Sequence, residues 1–452
     1  MKRSLFLLFL LVLNGCFCPR REVSVRDVPL SYTDVRLSEA KAPGRISTLD
    51  DYTEFMDYVC YASKEDEVWY ADVSPEFQKA LLASPDALFS LAGQSGILSH
   101  NFTKGYDLSR IADGQIGVYG SIGTYGTKSY ALDESNRKVL KFEYYLLLNG
   151  KDPAEWSLSE FPLYRENRGF VAADNSEELF YLLSCGYFPV VEEGTELASL
   201  FSRLLGIADA LVDDGMSDLE KYLSLYNYIV VENNYDYESL HYKDSVHTDY
   251  ECYFLEGVVN GKNAVCDGIC KALVCLARLV GMEAYHVGSS NGTSGHAYLY
   301  VRIGDDYYLS CPTNGSRISR VGTRKYHTHT NLYFLTDYDT SDPGWDFFSP
   351  SHPEIALALQ EIAPYDYYQE QRFWIGEEEC DYRVTSASEA RKILDYVDRT
   401  ARENGLNLEI ELQMGAETYR SLISGLDEAT CLVVDNGIFE GELVKSFVFL
   451  YE

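Results

Sequence analysis

Residues 260–270 read NGKNAVCDGIC, and they place Cys266 where an apolar helical pattern begins. The pattern continues at spacings of three or four residues through Ile269, Leu273, Leu276 and Val280 and stops at Gly281. A cysteine in the first turn of a helix lies near unsatisfied N–H groups and the positive end of the helix dipole, and both favour the thiolate. Gly268 would let a substrate backbone or a neighbouring strand come close to the thiol. The stretch therefore predicts that Cys266 is a nucleophile, whereas Cys270 and Cys275, deeper in the helix, are small core residues.

A histidine and a second cysteine lie on a predicted β-hairpin downstream. A two-residue turn at Gly304 and Asp305 pairs residue 303 with residue 306 and, counting back, residue 298 with 311 and residue 296 with 313. Because side chains alternate along a strand, His296 and Cys311 then lie diagonally adjacent on one face. Residue 311 is therefore the position from which a side chain would orient the imidazole of His296.

Three segments resemble the motifs of the transglutaminase-like superfamily. They are residues 260–268, the Gly-His-Ala of residues 295–297 and the Tyr-Tyr-Leu-Ser-Cys-Pro-Thr of residues 307–313. The Tyr-Asp-Tyr of residues 235–237, after a capped helix, resembles the usual lead-in, so the resemblance covers roughly residues 180–340. It implies an α+β fold with a papain-like core, in which Cys266 attacks and His296 is the general base. The superfamily includes protein crosslinkers, cysteine proteases and peptide N-glycanases, so acyl transfer or hydrolysis at an amide bond is implied.

The chain departs from the family pattern at three positions. Ile269 stands where an aromatic residue is usual, Tyr298 replaces a tryptophan, and Cys311 replaces the acid of the catalytic triad. Loss of the acid's function costs a Ser-His-Asp enzyme about 10⁴ in rate, but a cysteine enzyme with a preformed thiolate–imidazolium pair depends less on it.

A neutral thiol is a weak hydrogen-bond acceptor, so Cys311 would fill the orienting position imperfectly. Thr313, a backbone carbonyl, or a carboxylate such as Asp244 or Asp249 could orient the ring instead. A disulfide between Cys266 and Cys311 is not expected, because the histidine should stand between the two thiols.

The N-terminus has the pattern of a targeting segment. Lys2 and Arg3 precede an apolar run at residues 5–13 that is too short to span a bilayer. The following Leu-Asn-Gly-Cys, which ends at Cys16, resembles the lipobox of bacterial lipoproteins. This resemblance implies cleavage before Cys16, lipidation of its thiol and a protein anchored to a cell membrane, facing the extracellular or periplasmic side. A plain secretory signal is the alternative.

Composition narrows the set of partners. Acidic residues outnumber basic ones by 70 to 38, which gives a net charge of -32 and makes nucleic acid an improbable partner. The chain has no CxxC pair, and no cofactor or metal is expected. His327 and His329, with His241 or His247, suggest a metal cluster, but solvent-exposed loop histidines are the preferred interpretation.

We expect five regions along the chain. They are a lipoprotein signal peptide (1–15), a tether (16–45), an N-terminal region of unknown fold (46–170), a transglutaminase-like domain (175–345) and a small C-terminal α/β module (365–452).

Local patterns predict individual elements within these regions. The expected features are a helix capped at Thr48 and Asp51, turns and short strands at residues 114–126, a buried strand at 139–148, a capping box at Ser217 and Glu220, a helix between Ser386 and Gly405, and a half-buried strand at 406–412.

Three functions remain open at this point. The first is a membrane-tethered, peptidase-like acyl-transfer enzyme acting on an envelope or extracellular polypeptide. The second is a catalytically degenerate domain that binds a peptide or a glycan, including cell-wall material. The third is a purely structural envelope protein.

Overall fold

The structure is a computed structural model, and it describes residues 23–24, 44–48, 51–52, 55, 58–59, 68–83, 103–120, 136–148, 163–164, 170–213, 215–237, 251–260, 263–291, 294–337, 346–348, 358–426 and 431–451. The helices are α1 (Pro75–Ala83), α2 (Phe142–Leu148), α3 (Ser176–Ser184), α4 (Glu196–Leu211), α5 (Asp218–Glu232), α6 (Leu255–Val259), α7 (Cys266–Leu279), α8 (Tyr367–Glu370), α9 (Ala387–Asn404) and α10 (Ala416–Ile423).

The strands before α7 are β1 (Val23–Ser24), β2 (Trp69–Asp72), β3 (Thr103–Asp107), β4 (Gln115–Gly120), β5 (Asn136–Lys138), β6 (Leu140–Lys141), β7 (Leu163–Tyr164), β8 (Phe170–Ala172) and β9 (Phe188–Val190). Those after it are β10 (Ala284–Ser290), β11 (Gly295–Ile303), β12 (Asp306–Ser310), β13 (Ser316–Val321), β14 (Arg324–His329), β15 (Asp346–Phe348), β16 (Arg372–Ile375), β17 (Glu378–Asp381), β18 (Arg383–Val384), β19 (Leu408–Met414), β20 (Cys431–Phe439) and β21 (Glu442–Phe449). Helices and strands are mixed along the chain, as an α+β fold requires.

The predicted cysteine helix is confirmed as α7, which begins at Cys266 and ends before Gly281 in the left-handed conformation (φ +80°). Every residue from Gly268 to Leu279 is buried, because α7 packs against α3 to α6 on one side and against β10 and β11 on the other. The capping box of Ser217 and Glu220 at the start of α5 is also confirmed. A helix enclosed on all sides is a rigid support for a residue in its first turn.

The hairpin register is confirmed. Strands β11 and β12 are antiparallel, and their pairing runs from Ile303 opposite Asp306 to Leu299 opposite Ser310. They belong to a four-stranded sheet in the order β12-β11-β10-β15. The register carries His296 and Cys311 to the same end of the hairpin, beside the start of α7.

The C-terminal strands form a second sheet, in the order β18-β19-β21-β20, and β6 also pairs with β19. The predicted strand at residues 406–412 is confirmed from Leu408 onward as β19, but its predicted half-burial is wrong, because all seven residues of β19 are buried. Its polar side chains have buried partners: Glu409 pairs with His329, and Glu411 accepts hydrogen bonds from the Asn331 amide and the Tyr368 hydroxyl. The helix α9 begins after its cap, Ser386, and ends at Gly405, as predicted.

Two expectations for the N-terminal region can be checked in part. Residues 142–148 form the helix α2 rather than a strand, so the prediction of a strand at 139–148 is wrong apart from β6. A short apolar run cannot be assigned by periodicity alone, and here packing against α5 and β19 decides the outcome. The cap is present, with Asp51 accepting from the Thr48 amide (2.8 Å), but most of the helix predicted there lies outside the described residues.

The described residues contain two separate larger cores. One is confined to the N-terminal region, from Ile46 to Val118, and the other extends continuously from Phe142 to Phe449. The domain boundaries themselves stay predictions. No helix in the described parts of the chain is long and apolar enough to cross a bilayer.

Candidate active site

Cys266 is a half-buried free thiol at the first position of α7. It hydrogen-bonds to the backbone amide of Ala297 and to the hydroxyl of Tyr235. The thiol of Cys270, one turn further along α7, donates to the Ala297 carbonyl (3.3 Å). Both cysteines therefore bind the backbone of Ala297, which fixes the start of α7 next to His296.

The expectation that the helix start favours the thiolate is wrong for this chain. Burial, followed by the negative charge of Asp267, raises the pKa of the Cys266 thiol to about 11. The hydrogen bonds from Ala297 and Tyr235 lower this pKa only in part. Desolvation of this half-buried thiol, together with the charge of Asp267, outweighs the attraction of the helix dipole, so Cys266 is protonated at neutral pH.

His296 is held by Cys311. The imidazole Nε2 lies 3.2 Å from the Cys311 Sγ, which also accepts a hydrogen bond from the Asn314 amide (3.4 Å). The ring of Tyr298 packs edge-on against the imidazole, with ring centroids 4.6 Å apart. Cys311 therefore lies beside His296, as the register predicts, and its sulfur contacts Nε2 of the ring.

Thr313, one of the other suggested orienting groups, does not replace Cys311. Its buried hydroxyl has no hydrogen-bond partner among the described residues, so it does not hold the ring. Asp244 and Asp249 lie outside the described residues. Cys311 forms no disulfide with Cys266, because both residues are in the thiol form.

Tyr235 is a site residue that sequence reasoning did not single out. Its backbone forms a parallel bridge with Ala264, with the Asp236 amide donating to the Ala264 carbonyl (3.0 Å) and the Ala264 amide donating to the Asn234 carbonyl (3.1 Å). This bridge brings the Tyr235 hydroxyl to the Cys266 thiol. Position 235 lies 31 residues before the cysteine, and only the aromatic-rich lead-in hinted at a role.

A buried cluster of charges lies beneath the start of α7. Asp267 contacts the Lys271 ammonium (2.8 Å) and the His286 Nε2 (2.9 Å), while Lys271 also contacts Glu177 (2.9 Å). The desolvation of Asp267 is outweighed by the charge of Lys271 and the hydrogen bond from His286, which hold the pKa of that carboxyl well below its usual value. The cluster ties α7 to α3 and β10 and keeps a negative charge next to the nucleophile.

Gly268 is required by close packing of the protein itself. A Cβ at this position would lie 2.4 Å from the carbonyl oxygen of Cys252, which accepts a hydrogen bond from the Val265 amide (3.0 Å). We expect Gly268→Ala to lower the free energy of unfolding by about 1–3 kcal/mol, because the backbone must shift. Thermal or urea unfolding measures this loss. Gly415→Ala is the control: no atom lies near its Cβ position and φ is -64°, so an equal loss there would contradict the steric explanation.

The interpretation of His327 and His329 as solvent-exposed loop residues is wrong. Both lie on β14 and are buried, with His327 hydrogen-bonded to the Ser316 hydroxyl and His329 paired with Glu409. Burial lowers the pKa of each imidazole well below its usual value. No group of three metal-ligating side chains occurs among the described residues, and His241 and His247 lie outside them.

Comparisons with known proteins give little beyond this geometry. No family model and no curated protein matches the chain. Among solved structures, one described as a crystal structure of a TGase (transglutaminase) is 14% identical, with a TM-score of 0.23. The match covers 60% of this chain and spans only 60% of the length of that one. A TM-score this low carries no argument about the fold. The chemistry of the site therefore follows from its own residues.

Proposed function

We propose that this protein is a membrane-tethered, transglutaminase-like protein with a papain-like core that performs cysteine-dependent acyl transfer or hydrolysis on an envelope or extracellular polypeptide. One observation carries the proposal. The backbone of Ala297, the residue next to His296, hydrogen-bonds to the thiols of both Cys266 and Cys270, which fixes the start of α7 next to the histidine. Peptidase-like hydrolysis is the form of the reaction that we favour. The tether is the lipid on Cys16.

In the proposed reaction His296 acts as a general base during the attack. Because the Cys266 thiol is protonated at neutral pH, Nδ1 of His296 removes its proton as sulfur attacks the amide carbonyl. The imidazolium then protonates the departing amine, leaving an acyl group on Cys266. Water or a second amine releases the acyl group. Tyr235 and the Ala297 amide are hydrogen-bond donors that support negative charge on the sulfur.

Labelling by an electrophilic peptide tests this proposal. In His296→Ala we expect the labelling rate of Cys266 to rise about tenfold per pH unit from neutral pH toward about 11, since the thiolate fraction grows in that proportion below the pKa. The wild-type rate should rise less steeply near neutral pH, because His296 removes the proton there. Cys266→Ala should abolish labelling, and His296→Ala should slow it at neutral pH, where a base is needed most. Mass spectrometry of the labelled peptide measures both.

The matched control for this labelling is Cys275→Ala, which removes a fully buried thiol from the same helix and should leave the rate unchanged. A rate that does not depend on His296 would remove the general base from the mechanism. It would favour the second candidate function, a catalytically degenerate lipoprotein that binds a peptide or glycan. The protonated Cys266 thiol and the thiol at position 311 are the observations in its favour. That candidate requires ligand binding to survive Cys266→Ala.

The lipid anchor has its own test. We expect Cys16→Ser to move the protein from the membrane fraction to the soluble fraction and to abolish incorporation of a labelled fatty acid. Measurement uses fractionation of cells expressing the full chain, with Cys266→Ala as the control that should stay in the membrane. Membrane retention without the acyl label would show that another element anchors the protein.

A further inference from the structure

We infer that Cys311 is an oxidation site, at which a peroxide converts the thiol to a sulfinate that takes over the orienting role of the missing carboxylate. This inference rests on the proposed function and names a regulation of the same site. A sulfinate on Cβ carries two oxygens and one negative charge, as the carboxylate of aspartate does. Oxidation would therefore create an acidic side chain at position 311.

The contacts of Cys311 suit an anion better than a neutral thiol. The His296 Nε2 lies 3.2 Å from Sγ, and the Asn314 amide donates to the same sulfur at 3.4 Å. Hydrogen bonds to an ionised acceptor are about twice as strong as those between neutral groups. A sulfinate would accept from both groups and would hold His296 in the tautomer with its proton on Nε2.

An unpartnered donor also points into this part of the fold. Tyr226 is fully buried, and its hydroxyl has no hydrogen-bond partner among the described residues. That hydroxyl lies 2.2 Å from where a Cβ on Gly315 would be, and the Gly315 amide donates to the Cys311 carbonyl (3.1 Å). Burial, and after it the charge on Cys311, raise the pKa of Tyr226 well above its usual value, so it stays protonated as a donor. Buried donors without partners are uncommon, and an added oxygen at Cys311 would supply an acceptor.

The oxidation balances with hydrogen peroxide as the oxidant. His296 takes the proton of Cys311, and the thiolate attacks one peroxide oxygen, breaking the O–O bond and giving a sulfenic acid and water. A second peroxide repeats the step, so one thiol and two peroxides give one sulfinate, one proton and two waters. Sulfur is oxidised and peroxide oxygen is reduced. Burial raises the pKa values of the neighbouring Cys266 and Cys270 thiols, so both stay protonated at neutral pH. Cys311 is buried as well, and its deprotonation depends on the His296 Nε2 beside its sulfur.

The experiment treats the full chain with graded hydrogen peroxide, removes the oxidant and measures two quantities. Mass spectrometry reports oxygen atoms added at Cys311 and at Cys266, and the electrophilic peptide reports the labelling rate of Cys266. We expect two oxygens on Cys311 and a labelling rate at least about tenfold higher, bounded by the rate of Cys311→Asp. Cys311→Ser, which cannot form a sulfinate, should show no gain. If peroxide raises the labelling rate of the wild type but not that of Cys311→Ser, a merely structural role of Cys311 does not explain the increase.

Three results would overturn the inference. Oxidation of Cys266 at doses that leave Cys311 reduced is the first, and a disulfide at Cys311 in place of a sulfinate is the second. In the third result, the sulfinate forms but does not raise the labelling rate of Cys266, although Cys311→Asp does raise it. The proposed function then survives. If Cys311→Asp also fails to accelerate labelling in a folded protein, and the wild-type rate does not depend on His296, the proposed function fails together with the inference.

Discussion

Cys311→Asp is expected to raise the rate at which Cys266 attacks an electrophilic peptide by about 10² to 10⁴, the largest gain in rate that we predict for this chain. The raised pKa of Cys266 is the reason for so large a figure. A cysteine enzyme tolerates a poor orienting residue when the thiolate forms before the substrate arrives. Here the thiol is protonated, so His296 must accept its proton during attack, and the demand on the third residue approaches that in a serine enzyme.

The pH profile separates an orienting effect from a change in folding. An aspartate at 311 would stabilise the imidazolium, so the pH at which labelling is half-maximal should move down, and the gain should be largest at neutral pH. Cys311→Ser is the matched control, because it keeps the size of the side chain without adding a charge. A wild-type protein that already cleaves peptides as fast as the aspartate variant would show that Cys311 is an adequate partner for His296.

The sequence was sufficient to predict α7 and the hairpin because local rules determine both. A two-residue turn sets the register of its strands, so the side chain diagonally adjacent to His296 could be found by counting. The capping box of α5, the Ser386 cap of α9 and the C-terminal glycines of α7 and α9 are similarly local signals. This is why the position of Cys311 could be predicted from the sequence, although its catalytic role stays a prediction.

The errors arose where distant segments decide the environment. Strand β19 has alternating apolar residues, but its glutamates face buried partners contributed by residues about 80 positions earlier, including His329 and Asn331. Residues 142–148 become a helix because α5 and β19 enclose them. The same limitation explains why the predicted thiolate at Cys266 is wrong. The position of Cys266 in the helix depends on local sequence, whereas its burial, which controls the pKa of the thiol, depends on tertiary packing.

Lys271 is expected to be the most sensitive structural residue of the site, and Lys271→Met should lower the free energy of unfolding by about 3–5 kcal/mol. Lys271 and its two acidic partners are largely buried, so removing the ammonium leaves Asp267 and Glu177 with an uncompensated charge. Urea unfolding measures the loss. Lys392→Met is the control, because it breaks an ion pair with Glu378 that is largely exposed and should cost at most about 1 kcal/mol.

The same cluster predicts how the reactivity of Cys266 will change. The negative charge of Asp267 is one cause of the raised thiol pKa, and Lys271 partly neutralises that charge. Asp267→Asn should therefore lower the pKa of Cys266 and speed labelling at neutral pH, whereas Lys271→Met should raise the pKa and slow labelling in whatever fraction remains folded. Opposite changes in the labelling rate for two partners of one ion pair cannot come from loss of stability alone, since both substitutions weaken the fold. Equal slowing by both would mean that the cluster only holds α7 in place and does not set the charge at the nucleophile.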